Sequence, residues 1–345
     1  MKELKHLNKY FRKYWFKLLV GIIITIIARI FSLVLPSYVN KAFEVIDDLA
    51  SKSLGQDQAK DLLTEYILII IGTAILSGIF TFLMRQTIIN VSRYIEYDLK
   101  NEVFDHYQFL NLDFYKKNRT GDLMNRISED IGQVRLYAGP AVMYGINALT
   151  LFGCLIPLMF IKAPTLALYT VLPFPILSFL IYRISKIIHR RSTKVQEFLS
   201  SLSTFTQESF SGISVIKAYG LEPQTHEEVV SLATEGKNKS MNLAKVNAWF
   251  FPLMVLLIGV SNLFVIYIGG MQYINGEIGI GLIAEFILYV NMLTWPVAIV
   301  GWLTSIVQRA EASQTRINEF LKEEPKIKNE ISEEATINGK IEFRN

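Results

Sequence analysis

The spacing of apolar positions is the strongest signal in this 345-residue chain. A hydrocarbon layer about 30 Å thick takes roughly 20 helical residues to cross. Six stretches are apolar enough to do so, approximately 16–35, 66–84, 136–161, 163–182, 248–270 and 280–306. Two intervening segments, 85–135 and 183–247, are too long for turns. In the first, Ile88, Val91, Ile95, Leu99, Val103, Tyr107 and Leu110 recur at intervals of three and four, which is one stripe of a continuous helix. After the turn signal Asn118-Arg119-Thr120-Gly121, the residues Leu123, Ile127, Ile131 and Val134 form a returning stripe. An arm of about 25 residues extends on the order of 35 Å. The second segment, free of proline until Pro223, allows arms as long, with breaks around Gly212 and around 220–223. The pattern predicts two helical hairpins that continue the spans and end in tight turns. Such arms cost about 1 to 2 kcal/mol per residue in backbone entropy. They either stiffen the bundle or present tips that dock, and docking offsets that cost.

From Gln308 the pattern predicts a helix through Leu321, ended by Glu323-Glu324-Pro325. A polar acidic stretch follows, and 337–343 shows a turn and the alternation of a strand. A lone strand is unstable. The expected organisation is a membrane domain over 1–321, with a linker and the first strand of a further domain over 322–345.

Composition agrees: 51% hydrophobic, 19% charged and a mean hydropathy of +0.31 point to a membrane protein. The single cysteine, Cys154, excludes a disulfide framework and a cysteine metal cluster, and four scattered histidines argue against a histidine metal site. A net charge of +4 with no basic block speaks against nucleic acid. Lys2, Lys5, Lys9, Arg12 and Lys13 before the first span resemble a signal peptide, but the apolar run is too long and no small-residue cleavage site follows. Counting Lys17 with them, thirty Lys and Arg fall on the side of the termini and hairpins, against four opposite (Lys41, Lys52, Lys60 and Lys162). The positive-inside rule then places both termini and the hairpins in the cytoplasm, and the expected location is the plasma membrane, as a multi-pass protein.

Arg29 stands well inside span one, where a charge is costly enough to imply a bundle-facing or functional role, with snorkelling to the surface as the alternative. Glu285, near the outer end of span six, lines a vestibule or touches water. Trp249, Phe250 and Phe251 on span five, and Tyr289, Trp295 and Trp302 on span six, offer rings to an amphipathic or cationic cargo, or else pack or face lipid. Asn291 brings an amide that needs a partner in hydrocarbon. Pro252 and Pro296 each free a carbonyl and permit a kink. His226-Glu227-Glu228-Val229-Val230 resembles a metalloprotease motif, but Val230 replaces the second ligand.

Three pieces carry a family resemblance. They are Phe114-Tyr115-Lys116-Lys117-Asn118-Arg119-Thr120-Gly121-Asp122-Leu123-Met124-Asn125-Arg126 at the first tip, Gly212-Ile213-Ser214-Val215-Ile216-Lys217-Ala218-Tyr219-Gly220 with Glu222 at the second, and Gln308-Arg309-Ala310-Glu311-Ala312-Ser313-Gln314-Thr315-Arg316-Ile317 after span six. With the organisation above, the chain resembles the six-helix transmembrane half of an ATP-binding cassette exporter. The resemblance implies an all-α fold pairing into a domain-swapped dimer, as a homodimer or heterodimer. It implies tips that are coupling helices on nucleotide-binding domains, through Phe114, Tyr115, Gly121, Gly212, Ile213, Lys217, Tyr219 and Glu222. It further implies export of a hydrophobic or amphipathic drug, lipid or peptide from a cavity lined by Arg29, Trp249, Phe250, Tyr289, Asn291, Trp295 and Trp302. ATP and Mg would lie on the nucleotide-binding domains. A phosphate-cradling loop needs G-x-x-x-x-G-K-[ST]. Gly236-Lys237 has Ser231 and Asn238 in the key places, and Gly339-Lys340 has Glu334 and Ile341, so these residues hold no such loop. A stand-alone proton-driven transporter or channel is the alternative. It wants carboxylates deep in the bilayer, and only Glu285 stands within a span.

Overall fold

The structure, a computed structural model, describes residues 3–325 with 339, 342 and 343. The strand expected over 337–343 falls almost wholly outside the described residues. A 3-10 turn, Glu3–Leu7, leads into α1 (Asn8–Lys13). Then come α2 (Trp15–Ala50), α3 (Gln56–Phe109), α4 (Leu112–Lys117) and α5 (Thr120–Lys162). The chain continues through α6 (Pro164–Ser211), α7 (Ile213–Tyr219), α8 (Glu222–Ile274) and α9 (Ile280–Leu321). Among the described residues there is no strand, and six helices (α2, α3, α5, α6, α8 and α9) are long and apolar enough to cross a membrane. Each contains one of the apolar stretches and extends beyond it. Pro252 and Pro296 lie within unbroken helices. Only Ala163, in extended conformation, separates α5 from α6, and Pro164 opens α6 where its missing N–H is not needed.

The chain forms two compact units. The first comprises residues 1–19, 86–143 and 306–345, as far as they are described. Its core is the stripe read from the sequence: Val91, Ile95, Leu99 and Val103 of α3 have no exposed surface. Leu4, Leu7 and Tyr10, Ile131 and Val134 of α5, and Ala310, Ile317 and Phe320 of α9 complete it. Within α5, Arg126–Asp130 and Tyr137–Ala141 are wider, π-helical turns, the second around Pro140, which cannot donate the usual bond. There Gly139 lies so close to α3 that a Cβ would sit 2.5 Å from the Ser92 Oγ.

Polar ties join the same elements. Arg316 grips Asp130 with two donors, Nε at 3.0 Å and Nη2 on the other oxygen, and the Asn318 amide donates to the Glu3 carbonyl at 3.0 Å. His6, Lys9 and Tyr10 converge on Glu102. Burial alone would raise the Glu102 carboxyl, but the bonds from His6, Lys9 and Tyr10 outweigh it and hold the group at about 2. Because the folded value is depressed below the ordinary 4.5, the stabilisation is complete above that value and fades as pH falls toward 2. We expect this unit to lose on the order of 1 kcal/mol across that window, after allowance for solvent screening. Amide hydrogen exchange at α1 between about pH 5 and 2.5 checks it. Glu102→Gln should flatten the acid slope, and an unchanged slope would refute the assignment.

The second unit comprises residues 20–85 and 144–305. Leu155, Met159, Leu166, Val265, Phe286, Tyr289 and Val290 are fully enclosed in its core. On α3, Ile67, Leu68, Ile71, Ile75, Ile79 and Phe82 are exposed, which is where an apolar helix meets acyl chains. The arms of the second hairpin, α6 and α8, are joined by the Arg191 guanidinium on the Asn242 carbonyl and by Phe198 packed against Gly236, where no Cβ fits.

Candidate functional site

The first hairpin ends in α4, a cross-piece of six residues. Phe114 turns back on its own hairpin, partly buried against Tyr115 and, at 5.9 Å between centroids, Phe320. The Tyr115 hydroxyl donates to the Tyr107 carbonyl at 2.5 Å, while its ring stays 38% exposed. Gly121 is exposed in the first turn of α5. The apolar groups that project here are Phe109, Leu112 and Met124, each at least 60% exposed. Sequence reasoning missed them. The signal was available, since Phe109 falls off the buried stripe at the last position of its arm.

The second hairpin ends in α7. The Gly212 amide closes α6 on the Glu208 carbonyl at 2.8 Å, and Gly220 adopts φ of 62°, the left-handed conformation in which glycine ends a helix. Ile213, Val215 and Tyr219 face outward, with Tyr219 77% exposed. A hollow of about 330 Å³ beneath them is lined by Phe205, Phe210, Ile213, Ile216 and Val229. The Lys217 ammonium donates to Glu222 at 3.0 Å across the turn. Glu222 is held below the usual carboxylate range by its own backbone N–H first and then by Lys217.

Within the second unit a cavity of about 370 Å³ opens between α6, α8 and α9. Phe250 and Trp302 line it with Ile181, Ser185, Asn247 and Gly301, the last four not marked by the sequence. Tyr144 braces Trp302 edge-on at 5.7 Å. Asn291, Trp295 and Trp302 share one face of α9, being four and seven residues apart, and all three are exposed. Trp249 is 68% exposed and lies outside the cavity.

Tyr289 and Glu285 need correction. Tyr289 is not a cavity-lining ring: it has no exposed surface and its hydroxyl donates to Glu285. Glu285 neither lines a vestibule nor touches water, because it too is fully enclosed. The Asn40 amide reaches its Oε2 at 2.7 Å and the Lys162 ammonium its Oε1 at 2.5 Å. Lys162 also donates to the Ser37 hydroxyl at 3.1 Å. The cluster ties α2, the end of α5 and α9 together, and Asn40 and Lys162, each more than 100 residues from Glu285 in the chain, are invisible to spacing arguments. Arg29, on α2, is half-buried, and its Nε is enclosed without a hydrogen-bond partner among the described residues.

Residues 18–297 match the family described as the ABC transporter transmembrane region. The chain is 28% identical to the multidrug resistance-like ATP-binding protein MdlA of Escherichia coli, over 95% of this chain and 54% of that protein. It is 28% identical to the probable multidrug resistance ABC transporter ATP-binding/permease protein YheI of Bacillus subtilis, over 94% of this chain and 54% of the relative. It is 27% identical to an ATP-dependent lipid A-core flippase of Syntrophus aciditrophicus, over 72% of this chain and 43% of the relative. The chain thus spans about half the length of these relatives.

Proposed function

Because the chain belongs to the ABC transporter transmembrane region family, a family of multi-pass membrane domains, we propose that it converts ATP-driven motion into export of hydrophobic or amphipathic molecules. The observation that carries this reading is the second tip, an exposed apolar hollow closed by the Lys217–Glu222 pair at the end of two paired arms. Nucleotide-binding domains carrying ATP and Mg seat there and on Phe109, Leu112 and Met124 of the first tip. These 345 residues offer no phosphate loop, and the nucleotide chemistry belongs to the nucleotide-binding domains. Lys217 and Glu222 fix the turn, Gly212 and Gly220 shape it, and Ile213 and Tyr219 make the contact. Phe114 and Tyr115 brace the first tip from within. The termini and hairpins are cytoplasmic, in the plasma membrane, and a second half, identical or different, completes the pathway.

Cargo of the drug, lipid or peptide class enters the cavity at Phe250 and Trp302 and meets the Asn291–Trp295–Trp302 face as access alternates between the two sides. Aromatic walls with two amides and a hydroxyl hold amphipaths without demanding one shape. The proton-driven alternative is disfavoured because its one candidate carboxylate, Glu285, is already engaged by Lys162.

The test is Ile213→Asp and Phe210→Asp in the whole transporter, assayed in inside-out vesicles with a lipophilic fluorescent dye. A buried apolar contact replaced by a carboxylate should lower ATP-driven uptake by at least about tenfold, equivalent to about 1.4 kcal/mol of docking. Dye movement at full rate with the charged tips, or uptake under a proton gradient without ATP, would overturn the proposal.

A further inference from the structure

The six apolar stretches contain few charged residues: Lys17 at one lip, Arg29 and Glu285. Glu285 is fully enclosed and taken by Lys162, Asn40 and Tyr289. Arg29 therefore has no carboxylate of its own chain to pair with inside the layer. On α2 the next acidic residue is Glu44, fifteen positions on, or about 22 Å along the axis. An arginine side chain does not span that distance. A second copy brings no relief, since its own spans hold only another Glu285 with the same partners.

Arg29 lies about 20 Å from the start of span one and about 9 Å from its end, and its Nε is shut off from solvent without a hydrogen bond among the described residues. It stands on the flank of the buried face of α2, four residues after the enclosed Thr25. A guanidinium in hydrocarbon is stable only with an anion or a dipole against it. Its planar fork suits two oxygens of a phosphate or carboxylate.

We propose that Arg29 is an anion-binding site inside the membrane domain that takes the acidic head of an amphiphile, a phosphate or carboxylate carried on an apolar tail. The proposal deepens the export reading by naming the charge of one class of ligand. Two sources share this chemistry, a cargo that is moved and a membrane lipid that stays.

The experiment uses the whole transporter in nanodiscs of zwitterionic lipid, with radiolabelled hexadecyl phosphate and hexadecanol as probes and empty nanodiscs as blanks. Arg29→Gln should weaken the phosphate probe about tenfold and leave the alcohol unchanged, and Arg29→Lys should recover part of the loss. Glutamine is cheaper than arginine in hydrocarbon, so the variant should fold, as a thermal midpoint at or above that of the parent will show. Equal affinity of parent and Arg29→Gln for the phosphate probe would overturn the proposal. ATP-dependent movement of the bound phosphate probe between leaflets of proteoliposomes identifies it as cargo, and binding without movement identifies a resident lipid. Either result is consistent with an anion site. Failure of both probes and the dye to move under ATP counts against the export reading alone, because the binding comparison needs no nucleotide.

Discussion

Lys162→Met should be the most damaging single change in the second unit, lowering its stability by about 3 to 5 kcal/mol. The methionine fills the space of the lysine stem but leaves the Glu285 carboxylate, which has no exposed surface, without its cation. Two hydrogen bonds, from Asn40 and Tyr289, remain, and they do not neutralise a charge. The folded protein must then hold an uncompensated buried charge or admit water, and both cost. The check is a double-mutant cycle read by thermal unfolding in detergent. Glu285→Gln keeps a group that pairs with Asn40 and Tyr289, so Lys162→Met/Glu285→Gln should recover most of the loss. Additive effects in the cycle would show that the pair does not interact.

Gly281→Ala should be nearly as costly, by about 2 to 4 kcal/mol, and Gly279→Ala two residues away should be almost neutral. A Cβ on Gly281 would stand 2.2 Å from the Asn40 carbonyl oxygen and 2.9 Å from its carbonyl carbon. Those are backbone atoms of α2, so no rotamer change relieves the overlap and α9 must move away. At Gly279 the nearest atom, the Glu44 Oε1, is 3.6 Å away, which is ordinary contact. Separating the helices would also stretch the Asn40–Glu285 bond, so Gly281→Ala should lower the thermal midpoint and weaken the coupling measured in the Lys162 cycle. Equal midpoints for the two alanine variants would refute the close approach.

These two predictions rest on contacts that pattern reading did not supply. The buried stripe from Ile88 to Leu110 was legible because one face of a helix repeats every three to four residues, and the spans were legible because a bilayer needs a run of fixed length. The tips were legible at Gly212 and Gly220, where the backbone must turn. The direction of Phe114 is not legible, since a ring beside a turn looks the same whether it points outward or folds back on Phe320. Tyr289 was misread for a related reason: in an apolar helix the buried and cavity-facing sides have the same composition. Only the hydroxyl's partner, Glu285, four residues earlier on the same face, hinted otherwise. Lys162 and Asn40 carried no local sign of their partner, because the pairing is made by the fold across long separations in the chain.

The lone Ala163 between α5 and α6 has a mechanical meaning. A tether of one residue allows the two helix ends no more than about two Cα–Cα steps of separation, each 3.8 Å. The two joined ends therefore travel together, and a displacement of α5 at Lys162 is handed to α6 at Pro164 with almost no slack.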